Sequence, residues 1–296
     1  MQSAFEFLLG DLDRERFFHD IYQREAHLFE GSSTKFAHIF TLDELNRLLN
    51  YMPLSYPQVR VTDHHNTIHK YDLITDQDRY ANNANNEING EKLMRAISRG
   101  GTMVIDRIHV HVPALEDFID RIKEEMGARI AANGYYSSHR QLGVNPHFDR
   151  HDVFAIQIHG SKRWYFKKDQ HVLSQPMRRQ ATPAIDEART GWDSVLVKQG
   201  DVFYCPRGMW HFTQTEDENS AHIALGLYPM TLKDWLTDQE KKLPVAELLE
   251  EYVQDLRGHD PQMLAQKLKQ LAELLQENTC QPAQPKITLR PHLQLD

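Results

Sequence analysis

The sequence predicts a mainly β protein, a barrel or double-sheet jelly roll with helices on both sides of it. Three observations lead there. From Ala128 to Leu227, short runs rich in Val, Ile, Phe and Tyr alternate with turn residues, the pattern of many antiparallel strands. Helix-start signals dominate before that stretch and return after Pro229. The chain has 296 residues, 40% of them hydrophobic and 26% charged, enough for one large domain with appendages.

Taken in order, residues 13–27 place Phe17, Phe18, Ile21 and Tyr22 near helical spacing. Thr41-Leu42-Asp43-Glu44 is a capping box, in which Thr41 and Glu44 satisfy each other's orphan backbone donors and start a helix running to Leu49. Pro57 to Ile74, rich in Val, Thr, Ile and Tyr, reads as one or two strands. The Asn-rich Ala81 to Gly90 reads as a loop, and Glu91 to Ser98 as a helix stopped by Gly100-Gly101. Thr102 to Ile108 is a strand, and Pro113 opens a helix that Gly127 closes. The strands that follow are Arg129–Ser138, Asp152–Ile158, Lys162–Lys167, Ser194–Lys198, Val202–Cys205 and Ala221–Leu227, with hairpins expected at Gly160 and at Lys198-Gln199-Gly200-Asp201. Thr231 to Asp234 begins a helix, Pro244 a second and Asp260-Pro261 a third. The third carries Leu264, Leu268, Leu271 and Leu275 on one stripe, which either packs on the same chain or forms a dimer seam. Gln281 to Asp296, with its prolines, reads as a tail.

A formal net charge of -8 argues against general attraction to a nucleic-acid backbone and suits a basic partner better. Cys205 and Cys280 are too few for a disulfide framework and fit a reduced intracellular protein. Met1 to Asp11 lacks a basic segment followed by a long apolar run, so neither a signal peptide nor a membrane span is expected. The expected location is the cytoplasm.

The chemistry gathers in Val144 to Lys167. Side chains two apart along an extended strand share a face, so His147 and Asp149 can offer an imidazole and a carboxylate to one ion. The best third ligand is His211, far enough downstream for several strands to return beside the first. Two histidines and one carboxylate with open positions form the facial triad of non-haem Fe(II) oxygenases. An H-x-D pair alone is weak, and a surface turn after Pro146 would serve equally. Lys162 shares its face with Trp164 and Phe166. It is either a snorkelling lysine at a strand end or a buried cation for the carboxylate of a dicarboxylic co-substrate.

These motifs, in this order, are specific. The run from Asn133-Gly134-Tyr135-Tyr136-Ser137 through His147-Phe148-Asp149 and Gly160-Ser161-Lys162-Arg163-Trp164 to Gly200-Asp201-Val202-Phe203-Tyr204-Cys205-Pro206-Arg207-Gly208-Met209-Trp210-His211 resembles the JmjC oxygenases. The subgroup it is most similar to is the cupin-4 or ribosomal-oxygenase type. The resemblance implies a double-stranded β-helix core, with Fe(II) held by His147, Asp149 and His211. It further implies 2-oxoglutarate chelating the metal with its far carboxylate on Lys162, and dioxygen as the second co-substrate. Asn133, Tyr135 and Ser137 share one strand face and match positions lining the co-substrate pocket. Phe148 and Trp210 are expected to keep the site dry or simply to fill the core.

The implied division is an N-terminal α/β region over 1–100, a JmjC core over 101–230, a helical dimerisation region over 231–278 and a tail over 279–296. Members of the subgroup usually continue into a winged-helix domain, for which the residues after 278 are too few. The implied activity is hydroxylation of a side chain in a protein or peptide, a basic one by charge, with no membrane partner and with homodimerisation through 231–278. Demethylation of N-methyl-lysine is a second reading, disfavoured by the lack of a zinc-binding cysteine cluster. A cupin-like protein that binds a ligand without turnover is the third.

Overall fold

From Asp152 to Tyr228 the chain crosses between two sheets at four turns. In the computed structural model, which describes residues 3–65, 67–77, 85–138, 142–171, 182–231, 234, 237, 254–255, 258–259 and 261–278, ten strands build two antiparallel sheets. They are β1 (His27–Phe29), β2 (Val59–Thr62), β3 (Thr102–Ile105), β4 (Arg129–Ser138), β5 (Asp152–His159), β6 (Ser161–His171), β7 (Asp193–Lys198), β8 (Val202–Cys205), β9 (Met209–Thr215) and β10 (Asn219–Tyr228). One sheet runs β1-β8-β5-β10-β4-β3-β2 and the other β7-β6-β9. This is the double-sheet arrangement expected from the run of short strands.

The two expected hairpins are instead crossings between sheets. Both edges of β5 are occupied, by β8 and β10, so the strand leaving Gly160 must join the other sheet, where β6 pairs with β7 and β9. The turn at 198–201 likewise carries the chain from β7 to β8. Gly160 (φ 62°) and Gly200 (φ 94°) sit in the left-handed region these sharp turns require. A Cβ on Gly200 would run into the backbone oxygen of Ser32.

Alternation along the strands sorts their side chains into two cores. In β5 and β8, Phe154, Ile156, Val202 and Tyr204 face one way, while Val153, Ala155, Phe203 and Cys205 face the other with Trp164 and Phe166. Against the first face pack Phe5 of helix α1 (Ala4–Leu9) and Phe17, whose rings meet at 5.4 Å. Phe17 in turn meets Tyr204 at 5.2 Å. Each such buried ring contributes roughly 1.5–3 kcal/mol, which fixes the N-terminal segment on the sheet. Strands β2 and β3 extend the same sheet by antiparallel pairing.

Helices α2 (Leu42–Tyr51), α3 (Gly90–Ser98) and α4 (Pro113–Met126) form where the start signals place them. The Thr41 side chain accepts from Glu44 N at 3.2 Å, one half of the expected capping box, while the Glu44 carboxylate accepts from Arg47 at 2.9 Å. Helix α1, the short α5 (Ile185–Gly191), β1 and β9 were not expected from the sequence. Residues 13–27 are not one helix. A turn at Arg14–Arg16 runs into a π-helical turn at Phe17–Ile21, and Gln23 (φ 57°) ends it before β1. Among the described residues of the stretch to Ile74 only Val59–Thr62 is a strand, because Asp63 takes the Thr67 N–H at 2.8 Å and Asp72 takes that of His69 at 2.8 Å, folding the chain into turns. The strand from Thr102 stops at Ile105 because Arg107 is left-handed (φ 53°).

By its contacts the chain divides into two units: Met1–Met126 with Ile130–Tyr228, and Gly127–Arg129 with Pro229–Asp296. In the second, Thr231 and Asp234 cap each other reciprocally, at 3.0 and 3.1 Å. Gln254–Asp255 pairs with Gly258–His259, and helix α6 spans Pro261–Asn278. Leu268 on α6 is exposed, whereas the side chains of Leu264 and Leu275, the helix expected from Pro244 and the tail from Gln281 lie outside the described residues. Among the described residues no helix is long and apolar enough to cross a membrane.

Candidate active site

His147 and His211 lie directly opposite each other. The His147 N–H donates to His211 O at 3.0 Å and the His211 N–H donates back at 2.7 Å, a bridge that ties the segment before β5 to β9. Asp149, two residues on, is fixed through its backbone, its oxygen accepting from Gly208 N at 2.8 Å. The three side chains thereby converge, with one ligand atom from each lying within 4.8 Å of the others. Asp149 Oδ2 is 3.6 Å from His211 Nε2, and the two imidazole rings are 4.4 Å apart.

The hydrogen bonds around the histidines select the ligand atoms. His147 Nδ1 lies 2.8 Å from Asn145 O, and His211 Nδ1 lies 3.0 Å from Met209 O. A carbonyl oxygen only accepts, so each Nδ1 carries the proton and each Nε2 keeps a lone pair. Burial, reinforced by His147, lowers the His211 pKa to about 4. Burial works to raise that of Asp149, but His211, His147 and His151 outweigh it and hold the carboxyl below its usual range. A neutral imidazole beside a carboxylate is the protonation state a cation requires, and outer carbonyls that orient imidazoles are typical of metal sites. The donor set fits a divalent metal of the iron type with three positions left open.

The cluster opens into a cavity of about 280 Å³. Lys162, 1% exposed, also lines it, and its Nζ donates to Ser137 Oγ at 3.1 Å. Ser137 Oγ lies 3.0 Å from Thr102 Oγ1. Burial lowers the Lys162 pKa to about 7. Asn133 and Tyr135 line the cavity, and Ser137 acts from behind it, through Lys162. Asn133 Oδ1 also accepts from Arg107 N at 2.9 Å. Burial, with Asp149 nearby, raises the Tyr135 pKa to about 12. Phe148 and Trp210 pack on each other at 4.8 Å and are not among the lining residues.

The sequence reading overlooked His222, His151, Tyr228, Thr102 and Arg60, all of which line the cavity. The signal for part of this set was present. His222, Ala224, Gly226 and Tyr228 alternate along β10 and turn one face to the cavity. Gly226 leaves the space His151 occupies, since a Cβ there would stand 2.6 Å from the imidazole.

Residues 109–235, which include all three clustered side chains and Lys162, match the family described as "JmjC domain". This segment is a JmjC domain. Similar proteins include "Ribosomal oxygenase 1" of Rattus norvegicus, 25% identical over 266 residues, covering 86% of this chain and 42% of the rat protein. The "Bifunctional lysine-specific demethylase and histidyl-hydroxylase NO66" of Drosophila persimilis is 26% identical over 163 residues, covering 54% of this chain and 23% of the fly protein. The chain thus spans less than half the length of these relatives. Among solved structures, the Escherichia coli ribosomal oxygenase YcfD superposes with a TM-score of 0.55 at 19% identity, covering 93% of this chain and 69% of YcfD. The JmjC domain shares the cupin-like, mainly β fold of that protein.

Proposed function

We propose that the chain is an Fe(II)- and 2-oxoglutarate-dependent oxygenase that hydroxylates a side chain of a protein or peptide. One observation carries this reading: the His147–Asp149–His211 cluster, with both Nε2 lone pairs free, shares a cavity with a buried Lys162 that has no carboxylate partner among the described residues. The names of the relatives support it, as does a YcfD structure described as a complex with cobalt and 2-oxoglutarate.

Fe(II) with 2-oxoglutarate activates dioxygen, one oxygen atom passing to a substrate C–H bond and the other into succinate, with loss of CO2. The residues of this chain hold, orient and shield. His147, Asp149 and His211 would hold the metal on one side and leave the cavity side open. Lys162, steadied by Ser137 and Thr102, would receive the far carboxylate of the co-substrate. Asn133 and Tyr135 form part of the wall along which it lies. The net charge of -8 suits a basic polypeptide substrate. We further assign residues 231–278 to homodimerisation and the protein to the cytoplasm.

The test is incubation with Fe(II), 2-oxoglutarate and pools of basic peptides. Succinate with a hydroxylated peptide supports the proposal. Formaldehyde release would instead support N-methyl-lysine demethylation, the activity that also stands in the name of the NO66 relatives. Binding of 2-oxoglutarate without any succinate would reduce the protein to a binding module.

A further inference from the structure

Among the cavity residues with no part in the metal cluster, His222 has the most unusual surroundings. It is 5% exposed, and a register shift between Ala221 and His222 interrupts β10 where it leaves its partner β5. Such an irregularity re-aims a side chain, and here the ring lines the cavity. Packing alone holds it. Tyr135 stacks on it at 4.7 Å with the planes 6° apart, and Trp164 meets it edge-on at 5.9 Å. Its buried Nδ1 has no hydrogen-bond partner among the described residues. An unpartnered buried polar atom is costly and uncommon, and at a cavity wall it points to a ligand. Burial, and after it the neighbouring Lys162, hold the pKa well below its usual value, so the ring is neutral and carries one N–H.

We infer that His222 is a co-substrate-binding residue that donates its imidazole N–H to the far carboxylate of the dicarboxylate, beside Lys162. This rests on the co-substrate assignment above. It adds a second donor at that end and gives the site a preference for a 2-oxo acid with a distal carboxylate. The Lys162 ammonium has three N–H groups and gives one to Ser137, which leaves two for a carboxylate with about four acceptor sites. A rigid ring clamped by two aromatic side chains supplies a further donor.

The experiment uses the full chain loaded with Mn(II) and titrated without turnover by 2-oxoglutarate and by 2-oxobutyrate, which lacks the distal carboxylate. His222→Phe preserves the aromatic stack and removes the N–H, whereas His222→Gln loses the stack and restores a donor. A lost hydrogen bond to a charged group corresponds to a weakening of about tenfold to a hundredfold. We expect that loss in His222→Phe for 2-oxoglutarate, no change for 2-oxobutyrate, and recovery of much of the affinity in His222→Gln. Melting temperatures identify any variant whose fold is damaged. If His222→Phe is folded and binds 2-oxoglutarate like the wild type, or weakens both acids equally, His222 has only a packing role. If the wild type fails to bind 2-oxoglutarate, or binds it independently of Lys162, the co-substrate assignment itself falls and takes this inference with it.

Discussion

Replacing Lys162 by methionine should strengthen the empty protein and cripple the loaded one. The side chain is 1% exposed, its Nζ bonds to Ser137, and burial alone lowers its pKa from 10.5 to about 7. At about 1.4 kcal/mol per decade of proton affinity, that fall corresponds to a penalty of up to about 5 kcal/mol for keeping the charge. Below pH 7 the amine is charged in the folded and the unfolded chain, and the penalty is fully present. As the pH rises from 7 toward 10.5, the unfolded chain keeps a proton that the folded chain has shed, so stability climbs. Urea unfolding of wild type and Lys162→Met at pH 6.5 and pH 9.5 reads this directly. The variant should be more stable at the lower pH, and the difference should shrink at the higher. Breaking a buried charge pair costs about 3–5 kcal/mol, so 2-oxoglutarate affinity should fall by roughly a hundredfold to several thousandfold. A difference independent of pH, or a variant less stable at every pH, would refute the claim that Lys162 is an uncompensated cation awaiting an anion.

Three further outcomes follow from the same geometry. His147→Ala and Asp149→Ala should each lose more metal affinity than the roughly 10–100-fold typical of a lost outer partner, with circular dichroism unchanged; calorimetric titration with Mn(II) checks this. Binding of 2-oxoglutarate near pH 8.5 should take up about one proton, because the bound carboxylate restores the Lys162 charge. Calorimetry in buffers of different ionisation enthalpy would show it, and Lys162→Met should abolish it. Gly200→Ala should destabilise the protein by more than about 2 kcal/mol, since the left-handed backbone and the Ser32 oxygen both oppose a methyl group there; chemical denaturation measures it.

Much of this was legible in the sequence. Alternation marks the strands from Arg129 onward, and the motif order singles out His147, Asp149, His211 and Lys162, which line one cavity. What the sequence concealed is long-range. A glycine turn looks the same whether it closes a hairpin or crosses between sheets, and the difference at Gly160 lies in which edges of β5 are already taken. Strand β9 was hidden because Met209 to Phe212 is buried on both faces and shows no alternation. His222 sits in an alternating strand, but a register shift and its aromatic neighbours, all distant in sequence, give it its character. The convergence of His147 with His211 depends on a backbone bridge that no local pattern announces.

The most direct test of the central claim is an anaerobic titration of the protein with Fe(II) and then 2-oxoglutarate, followed by visible absorption. One Fe(II) per chain should bind and, on adding 2-oxoglutarate, a metal-to-ligand charge-transfer band should appear that is lost in His211→Ala and Asp149→Ala. Absence of stoichiometric iron binding, or a band that survives in both variants, would contradict it.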